Sequence, residues 1–130
     1  MIARYSAEHD AIINAMGELR RLAANDDREA AGIAVSSLLD LLAPHVASEE
    51  RSLFAELHND AEFTDHVDGL CSEHRDIDAR IASVVLGDLT DMDGLEKLLR
   101  RHIDKEENGL FPAAAIALGG PAWQRVVDFA

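Results

Sequence analysis

Two stretches of this chain are written to one pattern. His45–Phe54 reads HVASEERSLF and His102–Phe111 reads HIDKEENGLF, so both follow H-x-x-x-E-E-x-x-L-F. A shorter matched pair precedes them: SAEHDAI at 6–12 and CSEHRDI at 71–77. The two kinds of phrase alternate in order, which is the mark of a duplicated helical hairpin. Each EH stands on the first helix of a hairpin and each longer phrase on the second.

Apolar periodicity supports this reading in four segments. The first carries Ile2, Tyr5, His9, Ile12, Met16 and Leu19; the second Val35, Leu38, Leu42, His45, Glu49, Leu53 and Leu57. The third carries Phe63, Val67, Leu70, His74, Ile77, Ile81 and Val84; the fourth Leu95, Leu99, His102, Glu106 and Leu110. Steps of three and four dominate, as on the inward stripe of a bundle helix. Polar turn chemistry separates the segments: ANDD at 24–27, HNDAE at 58–62 and GDLTDMDG at 87–94. Short connections between long helices predict antiparallel neighbours, hence an all-α, up-down-up-down four-helix bundle. The 130 residues form one expected domain, with the bundle over 1–118 and a C-terminal tail over 119–130. Pro44 predicts a kink in the second helix, and Pro112 a bend or break in the fourth. Trp123 is the expected anchor of the tail.

The formal charge of −13 argues against nucleic acid or an anionic membrane surface as partner. No apolar run is expected to span a bilayer, and the start lacks the pattern of a signal peptide. A cytoplasmic location follows as an expectation. Cys71 is the lone cysteine, so no internal disulfide is expected.

Six polar residues interrupt the inward stripes: His9, His45, Glu49, His74, His102 and Glu106. Residues four apart lie one above the other on a helix, so His45 with Glu49 and His102 with Glu106 each aim an imidazole and a carboxylate at one space. Counted from the turns at about 1.5 Å per residue, His9 and His45, His45 and His74, and His74 with His102 and Glu106 agree in level within roughly one helical turn, so all four helices send ligands into one layer. Burying such groups is costly unless they pair or bind metal. Four imidazoles and two carboxylates exceed what one ion takes and suit two. Glu49 and Glu106 are the natural bridges, with His9 and His45 serving one ion and His74 and His102 the other. Mixed nitrogen and oxygen donors suit iron, manganese or zinc.

The pattern H … H-x-x-x-E … H … H-x-x-x-E over nearly the whole chain resembles a hemerythrin-like HHE cation-binding domain. The resemblance implies a non-haem centre of two iron ions, bridged by the carboxylates and an oxo or hydroxo group. It also implies chemistry with dioxygen, hydrogen peroxide or nitric oxide. Oxygen-carrying hemerythrins have a fifth histidine four residues after the third-helix ligand, where this chain has Asp78. Their second carboxylate is commonly aspartate, where this chain has Glu106. The missing imidazole leaves an open or water-filled position, or lets a carboxylate in, and points away from reversible oxygen carriage. Exchangeable positions on both ions favour reaction with peroxide or dioxygen, with catalase-like turnover and a place in oxidative-stress chemistry. The alternative is a module that senses or binds oxygen, iron or redox state without turnover.

The remaining candidates have plainer readings. Tyr5, one turn before His9, either packs in the core or serves the site, behind the ligands or by binding there itself; Asp78 is read as standing behind the ligands or as a carboxylate admitted to the site. Cys71 is read as core. Glu50 and Glu107 point about 100° from the bridging glutamates, into solvent or behind the ligands. His58 and His66 are read as lying outside the site. Leu53, Phe54, Leu110 and Phe111 are expected to plug the space beside the metals.

Overall fold

A computed structural model describes residues 1–130, and its regular structure is helical throughout. α1 spans Ile2–Ala24, α2 Arg28–Arg51, α3 Leu53–His58, α4 Thr64–Val85, α5 Met92–Lys105, α6 Phe111–Ala117 and α7 Gly120–Phe129. A π-helical turn at Glu106–Leu110 joins α5 to α6. α1 and α4 each pack against α2 and α5, so every long helix has two long neighbours.

Local chemistry sets the helix starts. Asp26 takes the left-handed conformation (φ 55°) that an aspartate tolerates, and turns the chain between α1 and α2. Asp27 then caps α2 by accepting from the Ala30 amide at 3.1 Å. Asp91 caps α5 in the same way through the Gly94 amide, at 3.1 Å. A β-carbon at position 94 would meet the Asp91 carboxylate and push the capping side chain aside, so glycine leaves room for that cap. Gly87 supplies the positive φ of the α4–α5 turn.

The core is two apolar clusters with a polar layer between them. One holds Ile12, Met16, Leu38, Leu42, Ile77 and Leu99; the other holds Tyr5, Leu53, Phe54, Leu70, Leu110 and Phe111. On each long helix the stripe passes from one cluster to the other through a histidine.

The repeated phrase explains two irregularities. In an α-helix, the residue four past a buried glutamate faces about 40° from it but the residue five past faces about 140° away, so L and F cannot both follow the glutamate inward. Both copies solve this by interrupting the helix. The first breaks at Ser52 (φ −117°, ψ −91°) before α3. The second widens into the π turn, closed by the Phe111 amide bonding to the Glu106 carbonyl. Leu53, Phe54, Leu110 and Phe111 are all buried as a result.

Three expectations are corrected: where the fourth helix changes, what anchors the tail, and the absence of a long apolar run. α2 carries Pro44 within it and is interrupted further on, at Ser52. Asp40 and Pro44 are both exposed, so the carbonyl that the proline leaves unbonded faces solvent. The fourth helix changes at Glu106–Leu110, ahead of Pro112, which then occupies the tolerated first turn of α6. The tail is helical, but fully buried Val126 anchors it, with Trp123 half-buried beside it. An 18-residue window within Arg28–His58 also has the length and apolar composition of a membrane span, with mean hydropathy 1.5, where no such run was expected. Its average is raised by alanine, leucine and isoleucine spread around the whole helix, and its inward side carries Leu38, Leu42, His45 and Glu49.

Leu38 is fully buried in the first cluster, whereas Leu41 is exposed on the same helix. Leu38→Ala is expected to cost about 2–5 kcal/mol and Leu41→Ala less than about 1. Urea unfolding of both variants, followed by helix content, checks the difference.

Candidate metal centre

His9 from α1, His45 and Glu49 from α2, His74 from α4, and His102 and Glu106 from α5 and its π turn meet in one buried layer. They form two groups that share both carboxylates. One is His9, His45, Glu49 and Glu106; the other is Glu49, His74, His102 and Glu106. Within each group, one donor atom per residue lies within 4.8 Å of the others. The structure thus brings together all six residues singled out in the sequence, in the division expected there.

The Nε2 atoms point at the carboxylates. His45 Nε2 lies 3.0 Å and His74 Nε2 3.6 Å from Glu49 Oε1. His9 Nε2 lies 3.1 Å and His102 Nε2 3.3 Å from Glu106 Oε1. These approaches lack hydrogen-bond geometry. Ten buried side-chain atoms have no hydrogen-bond partner, and all ten belong to these six residues. Elsewhere the buried side chains satisfy their polar atoms, as native interiors do. The donor set therefore fits metal ions: imidazole Nε2 atoms and carboxylates converge with their lone pairs unspent.

Four further glutamates face the other ring nitrogens. Glu107 Oε1 is 2.7 Å from His9 Nδ1, and Glu73 Oε2 is 2.8 Å from His102 Nδ1. Glu8 and Glu50 stand at 3.5 Å and 3.6 Å from His45 Nδ1 and His74 Nδ1. A carboxylate on Nδ1 fixes the tautomer that leaves Nε2 free to ligate. Glu107 is held in turn by Ser6 Oγ at 2.8 Å, and Glu73 by Lys105. Sequence reasoning left Glu50 and Glu107 between solvent and site, and missed Glu8 and Glu73. Yet the signal was present: each of the four is the residue beside a ligand, in EH or in EE.

The apolar plug is also ordered. The Phe54 ring stacks on His74 at 5.5 Å, and the Phe111 ring on His9 at 5.7 Å, each nearly parallel. Tyr5 is fully buried and its hydroxyl hydrogen-bonds with Ser48 Oγ and Ser52 Oγ, both at 2.8 Å. Its ring meets His45 edge-on at 5.4 Å, so it packs beside a ligand with its hydroxyl engaged by serines. Asp78 is exposed and does not stand behind the ligands; Ile77 takes the inward position one turn beyond His74. Cys71 is half-buried, with its thiol pushed up to about 11 by burial and by Glu50. His58 and His66 are exposed, and His58 pairs with Asp68 at 2.9 Å.

Without metal the layer is electrostatically strained. Burial, then the neighbouring Glu106, pushes Glu49 well above the usual carboxylate range. Burial acts on Glu106 in the same sense, but Glu49, His102 and His9 outweigh it and hold Glu106 far below that range. Burial and a neighbouring imidazole lower His45 and His74 to about 4. Burial pulls His9 down as well, but Glu106 and Glu107 outweigh it and leave it raised.

The fold and this donor set define a helical metal-binding protein. Residues 1–114 match the family model of the Hemerythrin HHE cation binding domain, and the chain belongs to that family. Searches of curated proteins and of solved structures gave no match.

The titrations fix a pH dependence for the metal-free chain. Below about 6.5 the unfolded chain binds protons that native His45 and His74 refuse until about 4, so stability falls as the solution is acidified. Below the ordinary carboxylate range Glu106 adds to this loss. Above 6.5 the raised pKa of His9 works the other way, and stability falls as pH rises. Between 4.5 and 6.5 Glu49 opposes the histidines, but one group does not outweigh two. The site's contribution should therefore peak near pH 6.5, with an acid-side loss on the order of a few kcal/mol. Urea midpoints of metal-free protein from pH 4 to pH 9 check this, and a flat or monotonic profile would contradict it.

Proposed function

We propose that this chain is a non-haem di-iron protein on an antiparallel, up-down-up-down four-helix bundle, and that it reacts with hydrogen peroxide or dioxygen. The observation that carries this reading is the set of ten unpartnered polar atoms, confined to six residues that form two groups around shared carboxylates. His9 and His45 would hold one ion and His74 and His102 the other, with Glu49 and Glu106 common to both. When bound, the ions supply two one-electron changes, matching the two electrons passed between two peroxide molecules in catalase-like turnover.

The chain's own residues support that chemistry. Glu107 and Glu73 orient His9 and His102 through hydrogen bonds at Nδ1, while Glu8 and Glu50 face the Nδ1 atoms of His45 and His74 at 3.5 Å and 3.6 Å. Phe54 and Phe111 cover His74 and His9 with apolar rings and restrict water on that side. With Ile77 inward and Asp78 outside, α4 offers the site no fifth imidazole. Four imidazoles and two carboxylates are fewer donors than two six-coordinate ions take, which leaves room for a small molecule. The same feature favours reaction over reversible oxygen carriage or sensing alone.

Elemental analysis of purified protein should give about two iron per chain, one for each donor group. His45→Ala and His102→Ala should each lower that content sharply, and unchanged iron in both would overturn the ligand assignment. An oxygen electrode should record oxygen release on peroxide addition, lost in the metal-free protein. A long-lived oxygen adduct of the reduced protein, reversed by lowering oxygen and without peroxide turnover, would establish a carrier instead.

A further inference from the structure

A surface groove of about 270 Å³ runs between α2 and α4. Leu42, Ala43, Val46 and Ala47 line it from α2, and His74 and Asp78 from α4. On the other side of the same wall lies a small chamber of about 10 Å³ at the metal layer. His9, His45, Glu49, His74 and His102 all border that chamber, so every ligand but Glu106 looks into it. Leu42, Val46 and His74 border both spaces. Leu42, Val46 and the ligand His74 itself thus form a wall common to the groove and the chamber.

Their mobility differs. His74 is pinned by the Phe54 ring stacked on it, by the His102 ring at 4.6 Å, and by Glu50. Leu42 is nearly buried in the first apolar cluster. Val46 is half-buried at the edge of that cluster, and its neighbours Ala43 and Ala47 are too small to wedge it. On the opposite side of the layer, Leu53, Phe54, Leu110 and Phe111 form a fully buried plug. The chamber itself holds about one water-sized solute, so what passes must be small.

We infer that the α2–α4 groove is the mouth through which small solutes reach the metal layer, with Val46 as the gate and Leu42 as its fixed jamb. This rests on the di-iron reading for its purpose but not for its geometry. Val46 is then a specificity-determining residue: its bulk sets the largest molecule that reaches the ligands. The apolar lining favours neutral solutes of the size of dioxygen or hydrogen peroxide. Asp78, which takes the place of the carriers' fifth histidine, sits at the rim of this mouth with Glu50 and Arg75.

The test is designed to work without metal. Ile77 faces the chamber and is nearly fully buried, so Ile77→Cys in a Cys71→Ser background places one thiol there. Methyl methanethiosulfonate converts that thiol to a mixed disulfide about the size of the side chain removed. Val46→Phe should slow labelling by at least about tenfold, and Val46→Ala should speed it several-fold. Ile33→Phe, on an exposed face of α2 outside the groove, should leave the rate within about twofold. Equal rates in all three, or rates that follow only global stability in urea, would overturn the route. A second arm keeps the native core: in iron-loaded protein, azide binding followed by absorbance should show the same order of rates at unchanged iron content. Labelling that obeys the order in protein unable to hold iron would refute the di-iron reading while keeping the mouth. Azide rates indifferent to Val46 in iron-loaded protein would do the reverse.

Discussion

Ten polar atoms stand without hydrogen bonds in the middle of an apolar core. Each unsatisfied buried group costs about 1–3 kcal/mol. Together they rival the 5–15 kcal/mol that a typical domain has in total. A chain of this size cannot carry that burden for packing alone, because leucines at the same six positions would remove it. Metal ions answer the cost, since each convergent lone pair then has a partner. The rest of the structure follows from holding those donors at one level: two apolar clusters above and below, and helix interruptions that bury L and F beside the glutamates.

The duplication is more than two hairpins set side by side. Within each hairpin, the glutamate of EH steadies the histidine of the longer phrase: Glu8 faces His45 and Glu73 faces His102. Between hairpins, the second glutamate of EE steadies the partner's EH histidine: Glu50 faces His74 and Glu107 faces His9. The phenylalanines cross in the same sense, Phe54 onto His74 and Phe111 onto His9. Every letter that the two long phrases share, H, E, E, L and F, therefore has a place at the site or against it. Neither hairpin can complete its half alone, which ties the two halves into one cooperative unit. Tyr5 breaks the symmetry, because the matching position on α4 is Leu70. Its hydroxyl joins Ser48 and Ser52, which fastens α1 to the end of α2 where the helix breaks.

The helices, the six donors and their division into two groups were legible because helical periodicity converts spacing into direction. Helix interruptions were legible only in part. Proline marked a kink at 44 and a bend or break at 112, whereas the interruptions at Ser52 and Glu106–Leu110 answer the demand to bury residues four and five past a glutamate. That demand is set by the opposite hairpin and is invisible within one helix. Glu8 and Glu73 escaped notice because each points away from its own helix's stripe, toward a histidine on the neighbouring helix. Asp78 was placed behind the ligands from its spacing to His74, but on α4 that position turns outward and Ile77 turns in.

The central claim is that metal, not packing, sustains the polar layer. Thermal unfolding of metal-free and iron-loaded protein, followed by helix content, tests it most directly. Binding at a thousandfold excess over the dissociation constant adds about 4 kcal/mol. In a chain of this length that raises the melting temperature by roughly 10 °C or more, with similar helix content before melting in both forms. Superimposable melting curves for the two forms would contradict the account.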